Sequence, residues 1–575
     1  MNNPYLQLTT RTLLTGVGLI ATTTALATPS LQLVDGIEVA GNSEEVHEIV
    51  SAEAGTGNLF ATFETGVRSY NFDGTTISST GLLDLTDTFT FDNISDSVGS
   101  VSSVAVDPLG RGFGAAVVIP NQSHMNFGKV VLFDTATNAV VRTFDSGYHP
   151  DMVTFSGDGS KLLIANEGEP VIIDTNTGLR ALESDALAAG DLAFSDMPGS
   201  LSLMDISSIN NTNLGSVALS INNFDFSAGN LAAGVAPKLD ALRVREANEG
   251  NEFIDVEPEY VTVQGNKAFV SLQENNAVAI FDFNTNKWTD IQDLGAIEQD
   301  KVDVSNDDGG IFLDDVVKGL PMPDAIASYS ANGMTYYITA NEGDGRDYIY
   351  DEDGANEFTL FTDEERIDGE TEAGATFGFA NPGDEPSLAD RNDDTKYGRL
   401  KVIKDHITDP DKNGLINSLQ AYGSRSFTIW DENGNIVFDS GETDATDLTQ
   451  ITVNAGTYPD SRSDDKGAEP ESVEVGTFNG KTYAFVGLER SGGIGMFDIT
   501  DPNGVFFVDY VTETGVSPEG LDFFVYNGDA YLAVAYEGSE DPGQSDIEIY
   551  RIVPEPSSLA LLALGGVLVA RRRRG

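Results

Sequence analysis

The chain has 575 residues, of which 92 are acidic and 32 are basic, so its formal net charge is −60 at pH 7. So acidic a surface repels phosphate backbones, which argues against nucleic acid as a partner. Cations that prefer oxygen ligands are the expected partners, and solubility in salty surroundings is the alternative reason for the charge. The chain has no cysteine, which excludes disulfides and thiolate metal sites, and its four histidines are scattered, which argues against zinc catalysis.

Residues 1–27 have the features of a secretory signal. Arg11 precedes an apolar run at residues 13–20, and Ala25-Leu26-Ala27 provides a cleavage site of the A-x-A type. We therefore expect the protein to be exported across the inner membrane.

A unit of strands recurs from about residue 44 onward and is clearest in residues 323–347. A proline followed by an acidic residue opens the first strand, a turn such as Asn332-Gly333 follows, and the second strand ends at a glutamate. Five units carry both carboxylates, spaced 16, 15, 18, 18 and 18 residues apart. They are Asp151 with Glu167, Glu259 with Glu274, Asp324 with Glu342, Glu471 with Glu489, and Glu519 with Glu537.

A third strand completes each unit and usually ends in an aromatic residue followed by an aspartate. Seven such strands are predicted, at residues 66–72, 129–134, 200–205, 277–282, 426–431, 493–498 and 546–551. Repeated antiparallel units of this kind are typical of a β-propeller, in which radial repetition leaves few exposed strand edges. The predicted fold class is therefore all-β, a seven-bladed β-propeller.

The predicted ring needs a closing strand, and it carries long acidic loop insertions. An open last blade would expose unpaired backbone, and the apolar segment 37–40 is expected to supply its outer strand. Residues 207–257 and 344–424 are acidic insertions for which a functional role or partial disorder is expected, and no structure is predicted for residues 351–395.

The first candidate metal site is the segment 409–414, which matches the opening D-x-D-x-N-G of a calcium loop. Asp409, Asp411 and Asn413 would supply oxygen ligands, and Gly414 would make the sharp turn. The twelfth position is Gln420 instead of a bidentate glutamate, so we expect modest affinity. Ordinary turn chemistry is the alternative interpretation.

The second candidate metal site is the segment 303–310. Asp303, Asp307 and Asp308 precede Gly309-Gly310 and could surround a cation. Position six of a calcium loop requires glycine, and Asp308 stands there instead.

The third candidate is the set of repeated carboxylate pairs, which a propeller would bring to one mouth of its channel. Like charges so close need protons, arginines or metal ions to neutralise them. In one interpretation calcium fills a catalytic face. In the other each glutamate caps a turn or pairs with an arginine, and the repeat is structural. The candidate arginines are Arg346 near Glu342, Arg490 near Glu489, Arg425 and Arg462. The residues assigned to catalysis in the first interpretation are Glu342, Asp344, Arg346, Glu489 and Arg490.

The C-terminal segment 553–575 combines Pro554-Glu555-Pro556, a short apolar run at 559–570 and four arginines at 571–574. The apolar run is short for a membrane span, and a plain tail anchor is the alternative interpretation. The combination closely resembles the PEP-CTERM sorting signal of Gram-negative bacteria. That resemblance implies transient membrane association, removal of the tail, and delivery to the cell surface or the exopolysaccharide.

Several phrases resemble the choice-of-anchor I domain family over about residues 33–552. They are at 258–260, 305–311, 323–329, 340–348, 423–430 and 463–471. The resemblance implies a surface or secreted β-propeller with an interchangeable C-terminal sorting signal. Some relatives are labelled alkaline phosphatase or adjoin a metallophosphatase domain, whose Gly-Asn-His-Glu and Gly-His-x-His motifs this chain lacks.

The expected organisation is a signal peptide at 1–27, a propeller domain at 33–552 and a sorting segment at 553–575. The expected function is a calcium-binding module that contacts exopolysaccharide or other surface and matrix components. A calcium-dependent phosphoric ester hydrolase at the acidic mouth is the alternative.

Overall fold

Seven four-stranded antiparallel sheets contain most of the strands in this computed structural model. They belong to one compact unit, Ser30–Val553. The structure describes residues 29–38, 47–63, 65–86, 89–91, 94–121, 125–181, 187–209, 212–352, 356–367, 378–379, 388–391, 393–405, 407–408, 415–416, 419–512, 515, 517–537 and 546–553.

The N-terminal part contains a first strand, which belongs to the last sheet, and two complete sheets. The first strand is β1 (Ser30–Ile37). Sheet 1 consists of β2 (Val50–Ala52), β3 (Asn58–Phe63), β4 (Gly66–Phe72) and β5 (Ile77–Asp84). A short hairpin, β6 (Phe89–Phe91) and β7 (Ile94–Asp96), leads to sheet 2, which consists of β8 (Val98–Val106), β9 (Phe113–Pro120), β10 (Phe127–Asp134) and β11 (Ala139–Tyr148).

The next two sheets are separated by the first insertion. Six strands follow sheet 2: β12 (Pro150–Phe155), β13 (Lys161–Asn166), β14 (Val171–Asp174), β15 (Leu192–Ser195), β16 (Ser200–Asp205) and β17 (Ile221–Asp225). Sheet 3 has the order β12-β13-β16-β17, and β14 and β15 form an inserted hairpin. After helix α1 (Ala236–Leu239), sheet 4 consists of β18 (Pro258–Gln264), β19 (Lys267–Leu272), β20 (Ala277–Asp282) and β21 (Lys287–Asp293).

The fifth sheet carries the second insertion. A hairpin precedes this sheet and consists of β22 (Ile297–Val302) and β23 (Asp315–Leu320). The strands of the sheet and of the insertion are β24 (Ile326–Ala331), β25 (Met334–Ala340), β26 (Asp347–Glu352), β27 (Asn356–Thr362), β28 (Glu364–Arg366), β29 (Gly378–Phe379), β30 (Lys401–Ile403), β31 (Leu415–Ile416), β32 (Ala421–Tyr422), β33 (Phe427–Asp431) and β34 (Ile436–Asp439), with helix α2 (Leu388–Arg391). Sheet 5 has the order β24-β25-β33-β34. Three strands of the insertion, β28, β30 and β32, join β22 and β23 in a five-stranded sheet with the order β22-β23-β32-β30-β28, and the insertion also contains the pairs β26-β27 and β29-β31.

The C-terminal sheets follow helix α3 (Leu448–Ala455), which Asp447 caps by accepting hydrogen bonds from two backbone N–H groups. Sheet 6 consists of β35 (Pro470–Phe478), β36 (Lys481–Leu488), β37 (Gly493–Asp498) and β38 (Phe506–Val511). Sheet 7 contains β39 (Pro518–Tyr526), β40 (Asp529–Tyr536) and β41 (Ile547–Val553), with β1 as its fourth strand. Among the described helices, none is both long and apolar enough to span a membrane.

The seven sheets contact one another in a closed cycle through their first strands. In order these strands are β2, β8, β12, β18, β24, β35 and β39, and β39 contacts β2 again. A separate apolar core fills the space between each pair of neighbouring sheets. Because each fully buried Leu, Ile, Val or Phe contributes about 1.5–3 kcal/mol, these interfaces are the main stabilising feature of the ring.

The last sheet is closed by a strand from the N-terminal end of the chain. β1 pairs antiparallel with β41, and Leu33 lies opposite Tyr550. An N-terminal strand does close the ring, as expected, but the predicted position, residues 37–40, is wrong. The closing strand ends at Ile37, and residues 39–40 lie outside the described residues. The reason is apolar burial, since Leu31 enters the core between sheets 6 and 7 while Val34 packs against the core between sheets 7 and 1.

The predicted third strands are confirmed as β4, β10, β16, β20, β33, β37 and β41, with ends within two residues of the expected ones. The first strands surround a central cavity of about 550 Å³. Its lining includes the residue that directly follows the first acidic residue of each repeated pair: Met152, Tyr260, Ala325, Ser472 and Gly520.

Candidate cation-binding site at the acidic end of the channel

The backbone holds the two acidic positions of a unit together in the same way in three sheets. The residue before the proline adopts a left-handed conformation, with φ of 43° at His149, 53° at Glu469 and 55° at Ser517. Its carbonyl oxygen then accepts a hydrogen bond from the N–H of the unit's glutamate. The N···O distances are 2.8 Å for Glu167 to His149, 2.9 Å for Glu489 to Glu469 and 3.0 Å for Glu537 to Ser517.

Proline suits this position because it lacks an N–H and begins the strand without leaving a donor unsatisfied. A left-handed conformation at a residue other than glycine costs roughly 1–2 kcal/mol, and such strain is concentrated at functional sites. The geometry accounts for the spacing of 15–18 residues between the acidic positions: each pair closes one two-stranded hairpin.

Five glutamates from sheets 5, 6 and 7 meet at this end of the channel, and we name them the five-glutamate cluster: Glu342, Glu469, Glu471, Glu489 and Glu519. They form two overlapping sets that share Glu489. In the first set, one oxygen each of Glu471, Glu489 and Glu519 lies within 4.8 Å of the others; in the second, the same holds for Glu342, Glu469 and Glu489.

Three of these glutamates have a basic partner. Lys466 Nζ donates to Glu342 Oε1 at 2.9 Å and also to Asp344 Oδ1 at 2.9 Å. Arg462 Nε donates to Glu469 Oε1 at 2.7 Å, and Arg490 Nη1 lies 2.6 Å from Glu489 Oε1. Gln273 Nε2 donates to the second oxygen of Glu342 at 2.7 Å.

The other two glutamates, Glu471 and Glu519, have no basic partner among the residues that the structure describes. One carboxylate oxygen of Glu471 and one of Glu519 lie within 4.8 Å of each other. Burial raises the pKa of Glu519 to about 8 and the pKa of Glu471 well above its usual value.

The acidic residues of the repeated pairs form a ring at this end of the channel, which we name the acidic ring. Its other part, from sheets 3 and 4, is named the histidine side: His149, Asp151, Glu167, Glu259 and Glu274. His149 Nδ1 lies 2.7 Å from Glu167 Oε2. Burial alone would lower the pKa of His149, but the charge and hydrogen bond of Glu167, together with the charges of Glu169 and Asp151, outweigh it and raise this pKa to about 9. Burial, with Glu167 nearby, raises the pKa of Asp151 to about 8. His149, Glu167 and Glu169 offer three ligand atoms within 4.8 Å of one another, but with its pKa raised the imidazole is the counter-ion of Glu167 in the metal-free protein.

Arg346 departs from the predicted arrangement. It was expected beside Glu342, but its guanidinium is buried against Glu257, with Nη2 2.9 Å from Oε1, and it donates to the backbone carbonyl of Glu274 at 3.1 Å. The chain turns sharply at Gly343, with φ of 91°, where a Cβ would lie 1.9 Å from the backbone nitrogen of Gly423. This turn leads the chain into β26, away from Lys466 and its partners.

The predicted catalytic residues are therefore divided. Glu342 and Asp344 share Lys466, whereas Glu489 binds Arg490. Asp344 is 54% exposed, while Arg346 is engaged with Glu257 and Asp255.

The two predicted calcium segments have different outcomes. Asp409, Asp411 and Asn413 lie outside the described residues, so that hypothesis stays a prediction. In the other segment Asp303 is buried and accepts a hydrogen bond from Ser463 Oγ at 2.9 Å, and burial raises its pKa to about 6. Asp307 is exposed. Among the described residues, Asp303, Asp307 and Asp308 do not gather three ligand atoms within 4.8 Å of one another.

Sequence reasoning placed Glu471 and Glu519 in the third predicted site, as members of the repeated carboxylate pairs, but did not assign Lys466 or Glu469 to a site. Glu471 and Glu519 were visible as the acidic residues after two prolines, and Glu469 precedes one of the same prolines. Lys466 carried no local signal, because its partner Glu342 is more than a hundred residues away in the chain.

Comparison with solved structures finds remote likenesses. Hydrazine synthase from Kuenenia stuttgartiensis is 10% identical, with a TM-score of 0.41 over 90% of this chain and 99% of that chain. Sqt1 from Saccharomyces cerevisiae is 8% identical, with a TM-score of 0.38 over 92% and 100% of the two chains. The β-propeller domain of Cps50 (Swd1) from Myceliophteria thermophila is 8% identical, with a TM-score of 0.38 over 88% and 96%. No curated protein matches the chain.

Two family profiles match the sequence. The PEP-CTERM protein-sorting motif matches residues 553–574, and it implies export to the cell envelope of a Gram-negative-type bacterium. The Choice-of-anchor I domain matches residues 48–502, most of the chain. The two matches together indicate an exported, surface-sorted protein. The chain belongs to the choice-of-anchor I domain family.

Proposed function

We propose that this protein is a seven-bladed β-propeller of the cell surface that binds calcium at the acidic end of its channel and serves as an interaction module of the surface matrix. Seven four-stranded sheets in a closed cycle support the blade number. The sorting motif supports the location.

The observation that carries the cation-binding role is the excess of carboxylates over basic groups at one end of the channel. Glu471 and Glu519 lie against each other without a basic partner among the described residues, and Glu489 adjoins both. Buried carboxylates in contact need a proton or a cation to neutralise them. An all-oxygen ligand set with several carboxylates suits calcium better than a transition metal.

A calcium ion at this position would also provide a means of binding a partner. Calcium takes six to eight oxygen ligands, more than three monodentate carboxylates supply. Hydroxyl or carboxylate oxygens of an extracellular polysaccharide could complete the coordination at the open end of the channel. We therefore expect matrix binding that depends on calcium.

The contacts of the arginines favour binding over phosphate ester hydrolysis. A phosphate site needs cationic side chains that point at the phosphoryl oxygens. Arg346 is 2% exposed and is engaged with Glu257, and Arg490 binds Glu489. With both arginines engaged by glutamates, hydrolysis of a phosphate ester is the less favoured function. Saturable release of phosphate from a chromogenic monoester that disappears in Glu342→Gln protein would restore it.

The test is retention of the purified full chain on extracellular polysaccharide from its own bacterium, with calcium, with magnesium, or with chelator. We expect retention with calcium and release by chelator. Equal retention in all three conditions, or failure of the protein to bind calcium in equilibrium dialysis, would contradict the proposal.

The surface location has its own test. Intact-mass analysis of the protein from the native envelope should give a chain that lacks residues 554–575, because the sorting motif starts at the proline-rich junction. A mass that includes the four terminal arginines would favour a simple tail anchor.

A further inference from the structure

The five-glutamate cluster contains two overlapping sets of ligand atoms, but their surroundings differ. In the set of Glu342, Glu469 and Glu489, the ammonium of Lys466 is already present: it lies 2.9 Å from Glu342 Oε1 and 3.5 Å from Glu469 Oε2. The side chain of Lys466 is 8% exposed, so the ammonium is nearly enclosed by these carboxylates. The set of Glu471, Glu489 and Glu519 has no lysine in it among the described residues.

Two buried oxygens of the cluster have no hydrogen-bond donor in the described part of the chain. Glu469 is fully buried, and the cationic atoms nearest to its Oε2, Lys466 Nζ and Arg490 Nε, are each 3.5 Å away. Glu471 Oε2 is also out of contact with solvent and accepts no hydrogen bond from a described residue. Buried acceptors without donors are uncommon in folded proteins. Lys466 and Arg490 already face Glu469 Oε2, whereas Glu471 belongs to the proposed set, where a bound cation would satisfy its oxygen.

We infer that Glu471, Glu489 and Glu519 bind one calcium-class ion, and that Lys466 is a built-in counter-ion that prevents a second ion from binding between Glu342, Glu469 and Glu489. The inference rests on the proposed cation-binding function and assigns it to named residues.

The distances fit such an ion. Calcium binds oxygen at about 2.3–2.6 Å, so two of its ligands can be at most about 5 Å apart. The three oxygens of the proposed set lie within 4.8 Å of one another, which is within this limit. Each carboxylate can bind through one or both oxygens, and water or a partner's oxygens complete the shell.

The charges fit as well. Lys466, Arg462 and Arg490 each neutralise one glutamate of the cluster. Two negative charges, those of Glu471 and Glu519, are left over when both are ionised, and one divalent ion balances them. A second divalent ion in the neighbouring set would have to displace the ammonium of Lys466, which is attached to the chain and cannot diffuse away.

The experiment is isothermal titration calorimetry of the metal-free full-length protein with calcium. We expect that Glu471→Gln with Glu519→Gln removes one equivalent of bound calcium. The matched control is Asp240→Asn with Glu298→Gln, two exposed residues, which changes the net charge equally and should leave calcium binding unchanged.

The role of Lys466 is tested by Lys466→Met, which keeps much of the apolar stem and removes the ammonium. We expect this variant to bind one equivalent more than the wild type. An unchanged number of ions would overturn the counter-ion role.

If the double glutamine variant does not fold, Glu519→Asp provides the test. This substitution keeps the charge but shortens the side chain by one methylene, so the carboxylate no longer reaches the ion equally well. The affinity for calcium should fall at least tenfold. Calcium binding that is unchanged in the glutamate variants would overturn this inference alone, whereas a wild-type protein that binds no calcium would overturn the proposed function with it.

Discussion

The two sides of the acidic ring neutralise their charge in different ways. On the histidine side, the imidazole of His149 pairs with Glu167, and the buried Arg346 lies between Glu257 and the backbone of Glu274. In the five-glutamate cluster, three basic residues serve five carboxylates, and Glu471 and Glu519 lie together without a basic partner among the described residues. The same repeated unit therefore gives a structural ion pair in one place and a candidate cation site in another, depending on which basic residues approach it.

The largest effect is expected where the internal counter-ion is most buried. Arg346→Met would leave Glu257 and Asp255 in the interior with less compensation for their charge, and we expect a loss of about 3–5 kcal/mol in the free energy of unfolding. Urea denaturation measures it. The control is Arg551→Met, an exposed partner of Asp529 on the outer part of sheet 7, which should change the stability little. Equal losses in both variants would show that burial of Arg346 does not determine its contribution.

Calcium should stabilise the protein through the five-glutamate cluster and not through the histidine side. At a calcium concentration one hundred times the dissociation constant, the gain is about 2.7 kcal/mol. Thermal melts with calcium and with chelator should differ for the wild type and coincide for Glu471→Gln with Glu519→Gln.

The segment 409–414 is tested in the same melts. If Asp409 and Asp411 bind a further ion, Asp409→Ala with Asp411→Ala will reduce the calcium-dependent shift without abolishing it. An unchanged shift would mean that this segment is an ordinary turn.

The histidine side should make the metal-free protein less stable as pH rises. Burial raises the pKa of Asp151 to about 8, far above its unfolded value of about 3.9, so the native state holds the proton more tightly between these values. Burial would lower the pKa of His149, but Glu167 raises it to about 9, above the unfolded value of about 6.5. In both cases the native state binds more protons, so stability falls with rising pH, from about pH 4 to 8 for Asp151 and from about 6.5 to 9 for His149.

Urea denaturation of chelated protein from pH 5 to pH 9 tests this dependence. His149→Gln should remove the part of the fall between pH 6.5 and 9 that His149 contributes and leave the part below it. Stability that rises with pH in the wild type would contradict the assignment of both groups.

Local patterns predicted most of the fold. The third strands were found because each is rich in apolar residues and most end in a turn that starts with aspartate, as at Phe133-Asp134 and Phe497-Asp498. The closing strand was predicted too far toward the C-terminus, at 37–40, because its position depends on a partner, β41, at the other end of the chain. Such a contact has no signal in the residues around Ser30.

The site was predicted in the same uneven way. The acidic residue after each proline was visible, and so was the glutamate that ends each hairpin. The basic residues that decide between an ion pair and a cation site were not: Lys466 reaches Glu342, and Arg346 reaches Glu257, across large separations in the chain. Arg346 was expected beside Glu342, and the sharp turn at Gly343 sends it elsewhere.

The smallest effect is expected at the boundary of the proposed calcium set. Arg490 Nη1 lies 2.6 Å from Glu489 Oε1, and its side chain is 42% exposed, so water screens much of the attraction between them. Arg490→Gln removes a positive charge beside a proposed ligand, and calcium should then bind about two to five times more tightly, a change of less than about 1 kcal/mol. Calorimetry at low salt measures the difference, which should shrink in about 0.5 M NaCl because ions screen exposed charges. Weaker calcium binding by this variant would show the opposite role for Arg490, which would then hold the carboxylate of Glu489 in position for the ion. In that case the variant loses more from the disordered Glu489 carboxylate than it gains from the reduced repulsion.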